Sequence, residues 1–254
     1  MRLLFFFAFF LFAPVRAAEV ILPEDELILP PFLNHIINLQ AQEDRFNVTG
    51  LGQHKREAKK GEWLDYGDAL DLPGRIAFEV LQRESIQWIG GGVFKGEIGS
   101  GAQVKDKDES IYEVSLNRGW MKVWIKADKN HSSIRILTDA GNFITKEAIF
   151  WMSARPGHSE VYLLQGELLL ESTKIPLVNR NYATFEKGRD KPVYISKDWD
   201  PGAMEVKIAA AYPALIKLAN LAQEEWEAGK NVRIYATLRR KGWRKASRMA
   251  PPPK

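Results

Sequence analysis

The chain is expected to be mainly β, an antiparallel β-sandwich or β-roll of many short strands with a short N-terminal helix and a C-terminal helical segment. Three observations lead there. From Trp63 onward apolar and polar residues alternate with a period of two, as half-buried strands require. Glycine-bearing turn signals recur at short intervals: Pro73-Gly74, Gly90-Gly91-Gly92, Gly99-Ser100-Gly101, Asn117-Arg118-Gly119, Asp139-Ala140-Gly141, Pro156-Gly157 and Gln165-Gly166. Between them β-branched and aromatic side chains accumulate, the types that suit a pleated surface.

Taken in order, residues 18–60 form an N-terminal extension. Pro30-Pro31 precedes Phe32, His35, Ile36, Ile37 and Leu39, whose spacing predicts a short amphipathic helix with Pro31 in its first turn. Residues 47–60 are polar and basic and are read as a loop or linker. Residues 61–188 form the β domain. Its first long strand covers 75–81, with Ile76, Phe78 and Val80 on one buried face. Further strands are expected at 120–125, 134–137, 149–152, 161–164 and 175–178.

After Gly188 comes a C-terminal extension, 189–238, of helix and strand. Asp200-Pro201 supplies an N-cap and a first-turn proline. Ile208, Tyr212, Leu215, Ala219, Ala222 and Trp226 recur at steps of three and four and form one apolar stripe, which Gly229 ends. Pro213 interrupts it, so a kink or two shorter helices are expected. Residues 231–238 alternate like a strand. The last segment, 239–254, is basic and proline-ended and is expected to be disordered.

The order of motifs in the β region resembles the FecR domain, a periplasmic module of bacterial envelope proteins. That family opens on Trp-x-x-x-Gly-Asp, found here as Trp63-Leu-Asp-Tyr-Gly67-Asp68, and continues into the strand Gly74-Arg-Ile-Ala-Phe-Glu-Val80. Its Thr-Pro-x-Gly and Arg-Gly-Thr-x-Phe segments are matched by Thr138-Asp-Ala-Gly141 and Lys146-Glu-Ala-Ile-Phe150. Its Val-x-Gly-x-Val-x-Val close is matched around Gly166, followed by Ile175-Pro-Leu-Val. Asp139 stands where proline is usual, and Glu147-Ala148 replaces Gly-Thr, so the backbone near 146–150 must be built without that glycine. The resemblance implies a periplasmic recognition or scaffold domain and argues against a transmembrane sigma regulator.

Residues 1–17 read as a secretory signal: Arg2 is the positive start, residues 3–12 the apolar run, and cleavage is expected after Ala17. The run falls short of the roughly 20 apolar residues that span a bilayer. No second such run follows, so a periplasmic chain without a transmembrane segment is expected. It has no cysteine, so packing rather than disulfides must stabilise it. Of a formal net charge of +4, Arg2 and Arg16 leave with the signal, and the remaining excess lies in the tail.

Catalytic signatures are absent. His35, His54, His131 and His158 are scattered without metal-ligand spacing, and no metal or cofactor is expected. Gly99-Ser100-Gly101 lacks a nucleophile elbow, and the Gly90 to Gly92 run lacks the strand-to-helix setting of a phosphate loop. Asp65, Asp68 and Asp71 keep open an alternative, a glycan hydrolase with paired carboxylates. A further alternative is a structural subunit assembling through the C-terminal apolar stripe.

Tryptophans on strands are either core or platforms for a partner. Trp120 and Trp124, four apart on one face, are candidate partner-binding residues, as are Arg239, Arg240, Lys241, Arg244 and Lys245 in a run without acidic residues. The expected partner is an envelope protein or glycan, with an anionic envelope polymer able to reach the basic tail. Export argues against nucleic acid.

Overall fold

A computed structural model describes residues 34–40, 45–50, 53–99, 102–104, 109–129 and 131–238. The expected signal (1–17) and basic tail (239–254) lie outside the described residues. The fold is mainly β, as expected, but several strands run much longer than the spacing of the turn signals suggests. Strands β1 (His35–Gln40), β2 (Arg45–Thr49), β3 (Lys55–Lys59), β4 (Ala69–Asp71) and β5 (Ala77–Arg83) lead to β6 (Ile86–Ile98), β7 (Ala102–Val104) and the 17-residue β8 (Glu109–Ile125). Then come β9 (Ser133–Thr138), β10 (Gly141–Arg155), β11 (His158–Leu170), β12 (Ile175–Val178), β13 (Tyr182–Glu186) and β14 (Tyr194–Ser196).

All join one 14-stranded sheet whose main path runs β14-β13-β11-β10-β9-β8-β6-β4-β2-β3. It is mixed, because β8 and β9 pair in parallel. The long strands change partners along their length: β10 pairs with β9 through its first half and with β8 through its second. Likewise β11 pairs with β13 early and β12 late.

Three of the expected turns are bends inside strands. Gly92 (φ 70°) interrupts β6, Gly119 (φ 104°) β8 and Gly166 (φ 87°) β11, each beside a shift of register or at a strand's change of partner. A glycine that permits a bulge or a close backbone approach leaves the same sequence mark as one in a hairpin. At Gly166 an added Cβ would lie 2.2 Å from the carbonyl oxygen of Glu147. Gly166→Ala is therefore expected to lose about 2 kcal/mol or more, a strained left-handed residue combined with a backbone collision, read as a lower urea midpoint. Where the FecR pattern has glycine, the chain bulges between Ile144 and Glu147, and the Thr145 hydroxyl donates to Glu167 O and accepts from Glu147 N–H.

One face of the sheet buries a continuous cluster from Ile36 on β1 to Phe185 on β13. Strands of one sheet supply nearly all of it, so the sheet folds over its own core rather than meeting a second layer. Phe78 and Val80 are fully buried there and Ile76 packs against them, as their alternation predicts. Residues before 61 belong to the same core through Ile36, Phe46 and Val48, so no boundary separates an extension from the β domain.

Two local expectations there are corrected. Residues 35–40 are strand, not helix: β1 pairs with β5, and because both faces are covered, His35, Ile36 and Ile37 are all buried and the alternation is lost. Residues 45–59, read largely as a loop, form the β2–β3 hairpin, which buries Phe46, Val48 and Ala58 among polar neighbours.

The other face is covered by helices. In α1 (Pro201–Ala211), Asp200 caps the first turn by accepting from Gly202 N–H at 2.9 Å. The chain breaks at Tyr212, and α2 (Pro213–Glu227) begins with Pro213, giving the two shorter helices expected. Ile208, Leu215, Ala219 and Ala222 are buried against Ala77, Ile89, Trp124 and Trp151 of the sheet. The apolar stripe is therefore satisfied within the chain, which removes assembly through an uncovered stripe. Residues 230–238 are helical, not strand. Asn231, Ile234, Tyr235 and Leu238 also satisfy a helical spacing, and Leu81 and Ile37 on the sheet select that pattern.

Candidate functional site

The helix-covered face carries the residues the sequence singled out. Trp120, Lys122 and Trp124 share it, as alternation on β8 requires. Trp124 is not a surface platform, however. It is fully buried beneath α2, with its Nε1–H donated to Gln223 Oε1 at 2.7 Å. Lys122 is buried beside it, its Nζ 4.9 Å from the Trp124 ring centre, 5.3 Å from that of Trp151 and 3.8 Å from a Glu205 carboxylate oxygen. Burial pulls the Lys122 ammonium below its usual range, and Glu205 opposes that shift. Trp151 Nε1–H also donates to Glu205, at 3.3 Å, so this group pins α1 to the sheet. Arg239, Arg240, Lys241, Arg244 and Lys245 lie outside the described residues.

Trp120 differs from Trp124. It is half-buried and begins a row of rings that crosses the strands toward the sheet edge. Trp120 stacks on Tyr162 with centres 6.0 Å apart, and Tyr162 stacks on Tyr182 at 4.6 Å. Tyr194 on β14 meets Tyr182 edge-on at 6.0 Å, and Trp199 meets Tyr162 at 5.4 Å. Exposure reaches 54% at Tyr194, and its neighbours Val193 and Ile195 are 44% and 45% exposed. Tyr162 is thus stacked between Trp120 and Tyr182, whereas Tyr194, the most exposed ring of the row, meets its neighbour edge-on.

At the Trp120 end the row opens into a cleft of about 260 Å³ where the α1–α2 break meets β6, β8, β10 and β11. Gly92, Val93 and Gly119 shape one wall, Tyr212 another, and Arg118 and Arg155 stand at its rim. Val93 holds φ at 58°, uncommon for a β-branched residue and a source of strain. An added Cβ at Gly92 would come within 3.0 Å of Tyr212 and 3.1 Å of Trp120, so the close approach of this bend to both rings needs glycine.

Glu160 is the one carboxylate lining the cleft. It accepts from the Tyr162 hydroxyl at 2.7 Å and the Ser153 hydroxyl at 3.4 Å, and His158 Nε2 lies 3.3 Å away. Burial, then Glu160, pushes the Tyr162 phenol far above its usual range and keeps it a donor. The chemistry here is hydrogen bonding and charge, without a second carboxylate across the gap. The aspartates considered for paired-carboxylate hydrolysis are placed differently. Asp68 is buried and bonded to Arg56 and to Asp65 N–H, while Asp71 forms an exposed pair with Lys95 at 3.7 Å.

Among the described residues no group of three or more histidine, aspartate or glutamate side chains is placed to hold a metal ion, and no helix is long and apolar enough to cross a membrane. Sequence reading missed the cleft residues Arg118, Arg155, His158 and Glu160 as a group. The alternation on β11 signals that His158, Glu160 and Tyr162 share a face, but not which strands lie opposite.

No family model and no curated protein matches the chain. Two solved structures of a candidate anti-sigma factor from Parabacteroides distasonis are similar to it in part. One has 11% identity and a TM-score of 0.35, over 57% of this chain and 62% of that one. The other has 10% identity and a TM-score of 0.33, over 58% and 62%. The similarity thus spans less than two thirds of that protein.

Proposed function

We propose that the chain is a non-enzymatic binding or scaffold domain of FecR type, exported to the periplasm by a leader cut after Ala17, and that it recognises a cell-envelope partner. The sequence motifs around Trp63, Gly141 and Gly166 support the family reading, and residues 1–17 support export. The observation that carries the binding role is the aromatic row ending at the exposed β14. Three successive apolar residues, Val193, Tyr194 and Ile195, stand open beside a sheet edge that no described strand pairs. An exposed apolar triplet beside free main-chain groups suits a protein partner that adds a strand along β14.

The test is capture from envelope fractions by the exported protein, comparing wild type with Tyr194→Lys combined with Ile195→Lys. Loss of an anchor of this kind is expected to weaken capture by about 30-fold or more, roughly 2 kcal/mol, with little change in melting temperature because both side chains are already exposed. Equal capture by the two proteins would reject β14 as the contact.

A further inference from the structure

We infer that the cleft beside Trp120 is an anion site, with Arg118 and Arg155 as its ligands and an acidic sugar residue as the class of ligand it takes. The first argument is charge. Gly119 on β8 pairs with Ala154 on β10, which leaves Arg118 and Arg155 as the next residues on either side of the same antiparallel junction. Arg118 is also the register partner of Lys95 on β6, and Arg155 that of His158 on β11. Four basic residues therefore lie abreast on adjacent strands. The outer two have carboxylates, Asp71 for Lys95 and Glu160 for His158. Among the described residues no carboxylate pairs with either arginine, although like charges placed opposite each other destabilise a sheet. An oxyanion between two guanidiniums removes that repulsion and takes their forked donors bidentately.

The second argument is shape. The backbone departs from regular strand on both sides of the cleft, with Gly92 and Gly119 at positive φ and Val93 strained. A side chain at Gly92 would crowd both Tyr212 and Trp120, so glycine there keeps the space between the rings open. Strain kept at a pocket wall is a mark of a built site. The open cleft, about 260 Å³, suits one ring, and Trp120 and Tyr212 form its apolar wall. Glu160, which would repel an anion, is turned to the Tyr162, Ser153 and His158 donors. The site lies at the opposite end of the aromatic row from β14, and the inference does not depend on export or on a protein partner.

The test is calorimetric titration of the whole chain with glucuronate, glucose 6-phosphate and glucose at low salt. At least one acidic sugar is expected to bind about tenfold or more tightly than glucose, and the tighter of the two identifies the anion as carboxylate or phosphate. Arg118→Gln with Arg155→Gln should abolish that preference. The same variant should melt no lower than wild type, since it removes a repulsion, and should no longer gain melting temperature from the acidic sugar. Equal binding of all three probes, an undiminished preference in the variant, or a variant that melts several degrees lower because the arginines are structural would each overturn the assignment.

Discussion

Trp124→Ala is expected to cost about 4 kcal/mol of stability and to lower the melting temperature by roughly 10 °C. Trp124 is fully buried between β8 and α2, so truncation opens a cavity that Gln223, Leu218 and Ala222 cannot fill without moving the helix. Two further losses follow. The Gln223 amide oxygen loses the indole N–H it accepts, and Lys122 loses one of the two rings that face its buried ammonium. That second loss matters because an ammonium under a helix, with a carboxylate only at 3.8 Å, depends on its surroundings to stay charged. Trp124→Phe keeps the packing but not the hydrogen bond and should lose much less, about 1–2 kcal/mol. Urea unfolding of the three proteins measures both effects. If Trp124→Ala were as stable as wild type yet failed to capture a partner, the side chain would be a surface platform after all, as its position on β8 first suggested.

The reason that suggestion fails shows how the sequence and the fold divide the information. Trp120 and Trp124 sharing a face is a property of one strand, and it is legible. The apolar stripe from Ile208 to Trp226 is a property of the helical segment, and it is legible too. What neither contains is that the stripe covers the tryptophans, since that contact joins residues about 100 apart in sequence, as in Trp124 and Gln223. Half of each tryptophan's fate is therefore local and half is not. Trp120 sits opposite Tyr212, where α1 gives way to α2, and the gap in cover becomes the cleft.

The same division explains the other differences. Both faces of β5 are covered, but Arg75, Ala77 and Glu79 alternate with the larger apolar Ile76, Phe78 and Val80, so the period of two survived there and alternation found the core face. On β1, also covered on both faces, the polar half of the pattern disappears, and His35 to Leu39 read as helix. Residues 231–238 fit two periods at once, and only the sheet beneath them chooses. Gly92, Gly119 and Gly166 carry the composition of turns, yet each bends a strand that continues, so three of the seven expected turns lie inside the long strands β6, β8 and β11. The cleft follows from those bends. In the sequence Arg118 stands inside one expected turn and Arg155 just before another, with nothing to join them. Their meeting depends on the β8–β10 register, which β9 and its connections intervene to set.

Glu79→Gln is expected to change how stability responds to pH. Glu79 lies on β5 with no exposed surface, between the sheet and the helical cover. Burial, with a smaller push from Glu225 on α2, raises its carboxyl from 4.5 to about 7, while the Asn38 amide, donating at 2.7 Å, and Lys60 pull the other way. Gln87 on β6 donates to the second carboxyl oxygen. A carboxyl that holds its proton more tightly in the folded chain stabilises the fold fully below the unfolded value. That contribution fades as pH rises from about 4.5 through 7. The shift corresponds to roughly 3 kcal/mol at most. Glutamine cannot ionise, so the stability of the variant relative to wild type should rise by an amount of that order between pH 4 and pH 8, as wild type weakens. Other carboxyls, including Asp68, Asp128 and Asp139, titrate in both proteins and largely cancel in the difference. The substitution is accommodated because Gln87 Oε1 has no partner and can accept from the new amide. Urea unfolding at several pH values gives the two curves, and parallel curves would show that Glu79 does not titrate in this range. Hydrogen exchange supplies the spatial check. Ionised Glu79 faces Glu225, which Lys230 engages at 3.8 Å at the start of the last helical segment. Protection over 230–238 should therefore fall at high pH in wild type and hold in Glu79→Gln.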